Sequence, residues 1–196
     1  MVKPDPDDNA GRGFAKWCRI TRAPFLTATL VPVLFGAAVA HHLGYGISLP
    51  WLALTLISAA FLHIGTNTLN DYFDHRSGAD AANEDYIAPF TGGSRTIQNG
   101  LISARAMLTV SVVSFILGGV IAIPLLFRAG MPVLYLGAVG IASGVFYTAP
   151  PLRFAGRKGL GELLIGLNLG PLMVAGSVLI QTGTLEWSAL LAGIPV

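Results

Sequence analysis

Four oxygen-bearing side chains close together carry the strongest chemical signal in this sequence: Asn67, Asn70, Asp71 and Asp74, with Asp80 following. On a helix, offsets of zero, three, four and seven share one face. Asn67 and Asp74 would then stand about 10 Å apart along the axis, giving a column of oxygen donors. Two carboxylates in such a column repel unless a cation sits between them. Hard oxygen donors suit Mg²⁺ or Ca²⁺ better than zinc. Mg²⁺ in particular combines one or two carboxylates with water and substrate phosphate oxygens. The plainer reading is a solvated helix end. It carries a penalty, because acids near a helix C-terminus oppose the macrodipole and, on a cytoplasmic face, stand beside anionic lipid. The spacing therefore favours a metal-ligand face over a solvated helix end.

Counter-charge follows. Pro89-Phe90-Thr91-Gly92-Gly93-Ser94-Arg95 sets paired glycines beside a serine and an arginine. Consecutive backbone amides in such a turn can form an anion nest, and Arg95 can grip a phosphate oxygen. No Gly-Lys-Ser/Thr occurs, so this is no Walker loop. A second polar stretch runs Tyr147-Thr148-Ala149-Pro150-Pro151-Leu152-Arg153-Phe154 and on through Arg157, Lys158 and Glu162. Its cations can face the same cavity or simply mark a membrane side. Glu162 suits the start of a helix. His63 lies one turn before Asn67, where a lone histidine reads as a packed, hydrogen-bonded residue. His41, His42 and His75 suggest no chemistry.

The elements that position these groups are membrane spans. The chain has 196 residues, 53% hydrophobic and 11% charged, against roughly 25% charged in soluble domains. Mean hydropathy is +0.66. Twelve Lys and Arg against ten Asp and Glu leave too even a balance for a nucleic-acid binder held by bulk charge. One cysteine, Cys18, excludes an intrachain disulfide and a thiolate metal site. Between Arg22 and Asp71 lie 48 uncharged residues, enough for two spans of about 20 residues each, with a turn at His41 to Gly46 and Pro50 opening the second. Further uncharged runs cover 106–127, 129–152 and 163–185. The expected fold is all-α: a multispan transmembrane bundle of five complete spans plus the start of a sixth near Trp187. Residues 1–13 read as a disordered polar tail. Residues 14–196 read as the N-terminal part of a membrane domain cut at Val196, a re-entrant tail being the alternative.

Eleven of the twelve cations fall on one side of this topology and Arg128 alone on the other, so the positive-inside rule puts the N-terminus and the acidic cluster in the cytoplasm. Trp17, Trp51 and Trp187 sit near span ends, as interfacial anchors do. Ala38-Val39-Ala40 after a basic start has the look of a signal-peptide cleavage site, but the apolar run continues straight into a second span.

The chain resembles the UbiA superfamily of intramembrane prenyltransferases, most closely the menaquinone branch that prenylates 1,4-dihydroxy-2-naphthoate. The carrying segments are Arg22-Ala23-Pro24-Phe25-Leu26-Thr27, Asn67 through Asp74 with Gly78-Ala79-Asp80, Thr91 through Arg95, and Tyr147 through Pro151 with Gly159-Leu160-Gly161-Glu162. The resemblance implies a bundle of about nine spans in which two aspartate-rich motifs hold a polyprenyl diphosphate through Mg²⁺. Only the first motif is present, and Gly78 stands where the commoner pattern has a third aspartate, with Asp80 later. The implied reaction transfers the polyprenyl group to an aromatic ring carbon in an integral protein of the cell membrane. Mg²⁺ would sit on Asn67, Asp71 and Asp74. Arg22, Asn70, Asp80, Arg95 and Arg153 would contact diphosphate, and Tyr72 or Tyr147 would shield the allylic cation. With half the diphosphate site absent, the 196-residue chain alone is expected to be inactive. Other acceptors (4-hydroxybenzoate, chlorophyllide, haem, glycerol phosphate) stay open. A cation-coupled transporter is the alternative from another class, but its acids belong at the bilayer midplane, not at a helix end.

Overall fold

A computed structural model describes residues 13–79 and 93–195. The stretch 1–12, Asp80, and Pro89 to Gly92 of the glycine-containing segment lie outside the described residues.

Every regular element among the described residues is helical. A short helix α1 (Phe14–Ile20) leads through Arg22 into a single 3-10 turn (Ala23–Leu26) and then α2 (Thr27–His42). The remaining long helices are α3 (Leu49–Ser77), α4 (Ala104–Ala129) and α5 (Met131–Thr148). A 3-10 turn (Phe154–Gly156) precedes α6 (Leu160–Leu167), which passes through a π-helical segment (Asn168–Leu172) into α7 (Met173–Thr182). Helix α8 (Trp187–Ala192) begins where the sequence places a sixth apolar segment. Five stretches are long and apolar enough to cross a membrane: Ala23–His42, Leu49–Ser77, Ala104–Ala129, Met131–Thr148 and Leu160–Thr182.

Local chemistry explains the boundaries. Pro50 and Pro132 stand in the first turns of α3 and α5, where a missing N–H has no partner to lose. The Ser103 hydroxyl accepts from the Ala106 N–H at 3.2 Å and caps α4. Gly130 alone joins α4 to α5, at a φ of 75°. α3 has 29 residues, about 43 Å of helix against a hydrocarbon layer of about 30 Å. Its last turns carry the polar run Asn70 to Ser77, the stretch that the surplus length allows to stand outside the apolar layer.

Large apolar side chains such as Val31, Leu34, Ile116 and Val120 face outward, while the helix contacts are built on small residues. A Cβ at Gly36 of α2 would lie 2.6 Å from Ser177 Cβ and 2.7 Å from the Val174 carbonyl of α7. Gly118 of α4 receives the Leu62 side chain of α3 in the same way. Lipid gives apolar side chains no reason to leave it, so close backbone approach and interhelical hydrogen bonds hold such bundles. Three serines supply those bonds: Ser58 to the Gly118 carbonyl at 2.9 Å, Ser111 to Gly65 at 2.8 Å and Ser177 to Val33 at 2.6 Å. At the end of the bundle remote from the acidic cluster, Gln181 clamps the α2–α3 turn. It accepts from the Ser48 N–H at 2.8 Å and donates to the Ser48 carbonyl at 3.4 Å, while Arg128 donates to the Gln181 carbonyl at 3.2 Å.

Candidate active site

A cavity of about 560 Å³ runs up the middle of the bundle. Its body is apolar, with Val33, Leu62, Phe115 and Leu136 among the lining residues. Polar groups gather at the end formed by the last turns of α3: Arg22, Asn67, Asn70, Asp74 and Tyr147 all line it.

Helix α3 presents Asn67, Asn70 and Asp74 to the cavity, which are offsets zero, three and seven. Asp71 is on the adjoining strip and is only 3% exposed. Its carboxylate is ion-paired with the Arg22 guanidinium, which also donates from Nη2 to Asn70 Oδ1 at 3.3 Å. Ser94 closes the other side: its N–H donates to Asp71 Oδ1 at 3.3 Å and its hydroxyl to Oδ2 at 2.5 Å. Thr96, fully buried, lies 2.8 Å from the Ser94 hydroxyl. The anion met by the turn after Gly93 is thus the protein's own Asp71. Arg22 reaches it from a left-handed backbone (φ 52°), and Arg95 and Arg153 share that conformation. It is uncommon for residues other than glycine, and it concentrates at functional sites.

Two buried donors at this mouth have no partner among the described residues: Arg22 Nε and Asn67 Nδ2. Unsatisfied buried donors are costly and, beside a cavity, call for an anion's oxygens. Among the described residues no three His, Cys, Asp or Glu side chains converge. A cation here would find the Asp74 carboxylate, amide oxygens and whatever oxygens its substrate brings, with Asp71 engaged by Arg22. That all-oxygen set fits Mg²⁺, which keeps water and phosphate ligands, and does not fit zinc.

The other residues singled out in the sequence are spread more widely. Tyr147 lines the cavity, with Gly161 against its ring. Tyr72 does not line it; its hydroxyl accepts from Arg76 at 3.1 Å and its ring meets Phe73 edge-on at 5.2 Å. Arg153 is exposed on the loop after α5, and neither it nor Arg95 lines the cavity. Asp80 lies outside the described residues. His63 does line the cavity. Its Nδ1 is paired with the fully buried Thr29 hydroxyl of α2, and Asn67 is its other polar neighbour.

Sequence reasoning passed over Asn168, which lines the cavity from the π-helical segment. An Asn-x-x-Pro pattern inside an apolar span was the available signal, since Pro171 denies that segment a regular backbone ladder.

Several apolar spans enclose a cavity that is greasy along its length and charged at one end, the arrangement of an integral membrane protein. The UbiA prenyltransferase family model matches residues 29–196, and the chain belongs to that family. It is similar to 1,4-dihydroxy-2-naphthoate octaprenyltransferase of Bacillus subtilis, at 30% identity over 178 residues, covering 91% of this chain and 55% of that protein. The enzyme of the same name from Mycobacterium tuberculosis is 30% identical over 178 residues, 90% of this chain and 58% of that one. The 2-carboxy-1,4-naphthoquinone phytyltransferase of Synechocystis is 30% identical over 180 residues, 89% of this chain and 53% of that one. The chain therefore spans about half the length of the curated relatives it matches.

Proposed function

We propose that this chain forms the diphosphate-binding wall of a membrane prenyltransferase. The enzyme moves a polyprenyl group from its diphosphate to an aromatic ring carbon, and 1,4-dihydroxy-2-naphthoate, on the path to menaquinone, is the acceptor. The observation that carries this reading is a pair of buried donors, Arg22 Nε and Asn67 Nδ2, that have no partner among the described residues, beside Asp74 at the polar end of an otherwise apolar cavity. The similarity to 1,4-dihydroxy-2-naphthoate octaprenyltransferases supports the acceptor. The bias of Lys and Arg supports a mouth that opens to the cytoplasm from the cell membrane.

Arg22 and Asn67 donate to diphosphate oxygens, which satisfies donors that the described residues leave without a partner. The apolar tail lies along the cavity, among groups such as Val33, Leu62 and Leu136. Asn67 and Asp74 are the residues to hold Mg²⁺, with Asp71 engaged by Arg22 and Ser94 beside them; the ion when bound would neutralise the charge gathering on the leaving diphosphate. As the allylic C–O bond breaks, the bonding pair goes to the diphosphate, and the Arg22 guanidinium stabilises that negative charge from a fixed position. The carbocation left behind is sheltered from water by the apolar wall and faces the Tyr147 ring, whose π face suits a cation. The aromatic carbon forms the new C–C bond and loses its carboxyl group as carbon dioxide.

The test is product formation by the full-length protein in detergent, given Mg²⁺, a polyprenyl diphosphate and the dihydroxynaphthoate. A prenylated, decarboxylated product is expected, and Asp74→Ala should lower its rate by on the order of a hundredfold. Undiminished turnover in that variant, or no product with any hydroxylated aromatic acid, would remove this reading.

A further inference from the structure

Asn168 sits on the wall opposite α3, in the π-helical segment between α6 and α7. π-helical turns inside α-helices recur at functional sites. The orientation of its amide is decided by chemistry: Nδ2 donates to the Leu164 carbonyl at 2.7 Å, and a carbonyl can only accept. Oδ1 is therefore the other end of the group, and it has no hydrogen-bond partner among the described residues. Gly140 of α5 faces it, and a Cβ there would touch Oδ1 at 3.8 Å; the bare glycine leaves that room free beside a side chain that lines the cavity. Around it the cavity is apolar, with Gly137, Ile141, Leu164 and Leu169 nearby along the same helices.

An acceptor oxygen in an apolar wall selects a ligand by what the ligand can donate. An ionised diphosphate carries acceptors only, and a polyprenyl tail carries neither kind of group. Of the molecules in the proposed reaction, only a hydroxylated aromatic ring brings an O–H. We propose that Asn168 is the residue that selects the aromatic acceptor, its Oδ1 receiving a hydrogen bond from a ring hydroxyl. The π-helical turn holds that oxygen toward the cavity by tying Nδ2 to Leu164. This assignment rests on the prenyl-transfer reading above and names the group that the acceptor must carry.

The experiment compares two ligands on the full-length protein: the hydroxylated aromatic acid that it turns over, and the methyl ether of that acid, which keeps the ring and loses the donor. The acid's KM and the ether's competitive inhibition constant are measured for the parent protein and for Asn168→Leu and Asn168→Thr. Threonine can bond back to the Leu164 carbonyl four residues earlier, which preserves the turn and keeps its shorter side chain's oxygen against the helix backbone, away from the position of the amide oxygen. The parent should favour the acid by on the order of tenfold, and both variants should lose that preference while the KM for polyprenyl diphosphate stays within about twofold. A preference that persists in Asn168→Thr overturns the assignment and leaves the prenyl-transfer reading standing, as does an equal rise in both KM values. Absence of prenyl transfer by the parent protein overturns both.

Discussion

Arg22 and Asp71, 49 positions apart in the chain, form an ion pair that fastens the start of the first span to the end of the second. Asp71 is 3% exposed and the Arg22 side chain 18%. Removing one partner of such a pair strands a charge in a dry place, whereas replacing both with apolar groups is often tolerated. Arg22→Ala should therefore lower stability by about 3 kcal/mol, and Arg22→Met with Asp71→Leu should lose less. Thermal unfolding in detergent checks this, and equal losses in the single and double variants would refute the coupling.

Ser94 holds both oxygens of Asp71. Its hydroxyl is half of that grip, so Ser94→Ala should cost about 1–3 kcal/mol and should raise the KM for polyprenyl diphosphate. Ser94→Thr, which keeps the hydroxyl, should behave as the parent. Kinetics at varied diphosphate concentration separate these outcomes.

Packing of α2 on α7 depends on Gly36 having no side chain. Gly36→Val would force its Cβ into Ser177 and the Val174 carbonyl, and a loss of about 1–3 kcal/mol or more is expected. Gly119 has nothing within 4 Å of a Cβ, and Gly119→Ala on the lipid-facing strip should be neutral or mildly stabilising. Melting temperatures of the two proteins in the same detergent give the comparison.

At the far end, Gln181→Leu removes both bonds to Ser48. Stability should fall by about 1–3 kcal/mol, while turnover per folded molecule should be unchanged, because this clamp is at the other end of the bundle from Asp74. Activity lost in proportion beyond the folded fraction would contradict that separation.

Much of this architecture is legible in the sequence because charge spacing is a blunt constraint in a bilayer. The runs between Arg22 and Asp71, and between Arg105 and Arg128, had to be spans. The acidic column was legible only in part. Helical offsets put Asn67, Asn70, Asp71 and Asp74 within one arc, but an arc is wide enough to face two neighbours. Which residue turns to the cavity and which to Arg22 is decided by tertiary packing, and nothing local encodes a partner 49 residues away. The π-helical segment was hidden for another reason. An apolar span containing Asn168 and Pro171 satisfies the hydropathy pattern whether or not its backbone is regular. The Thr29–His63 pairing likewise depends on how α2 crosses α3.

The π-helical segment over Asn168–Leu172 has a geometric corollary. A single surplus residue in a helix swings everything beyond it by about 100°. Ser177 meets α2, and Asn168 meets the cavity, because this offset falls between them. Excising one residue there would straighten the rod and carry Ser177 away from the Val33 carbonyl. The aim of the acceptor wall and the docking of the first span are thus set by the same miscounted turn.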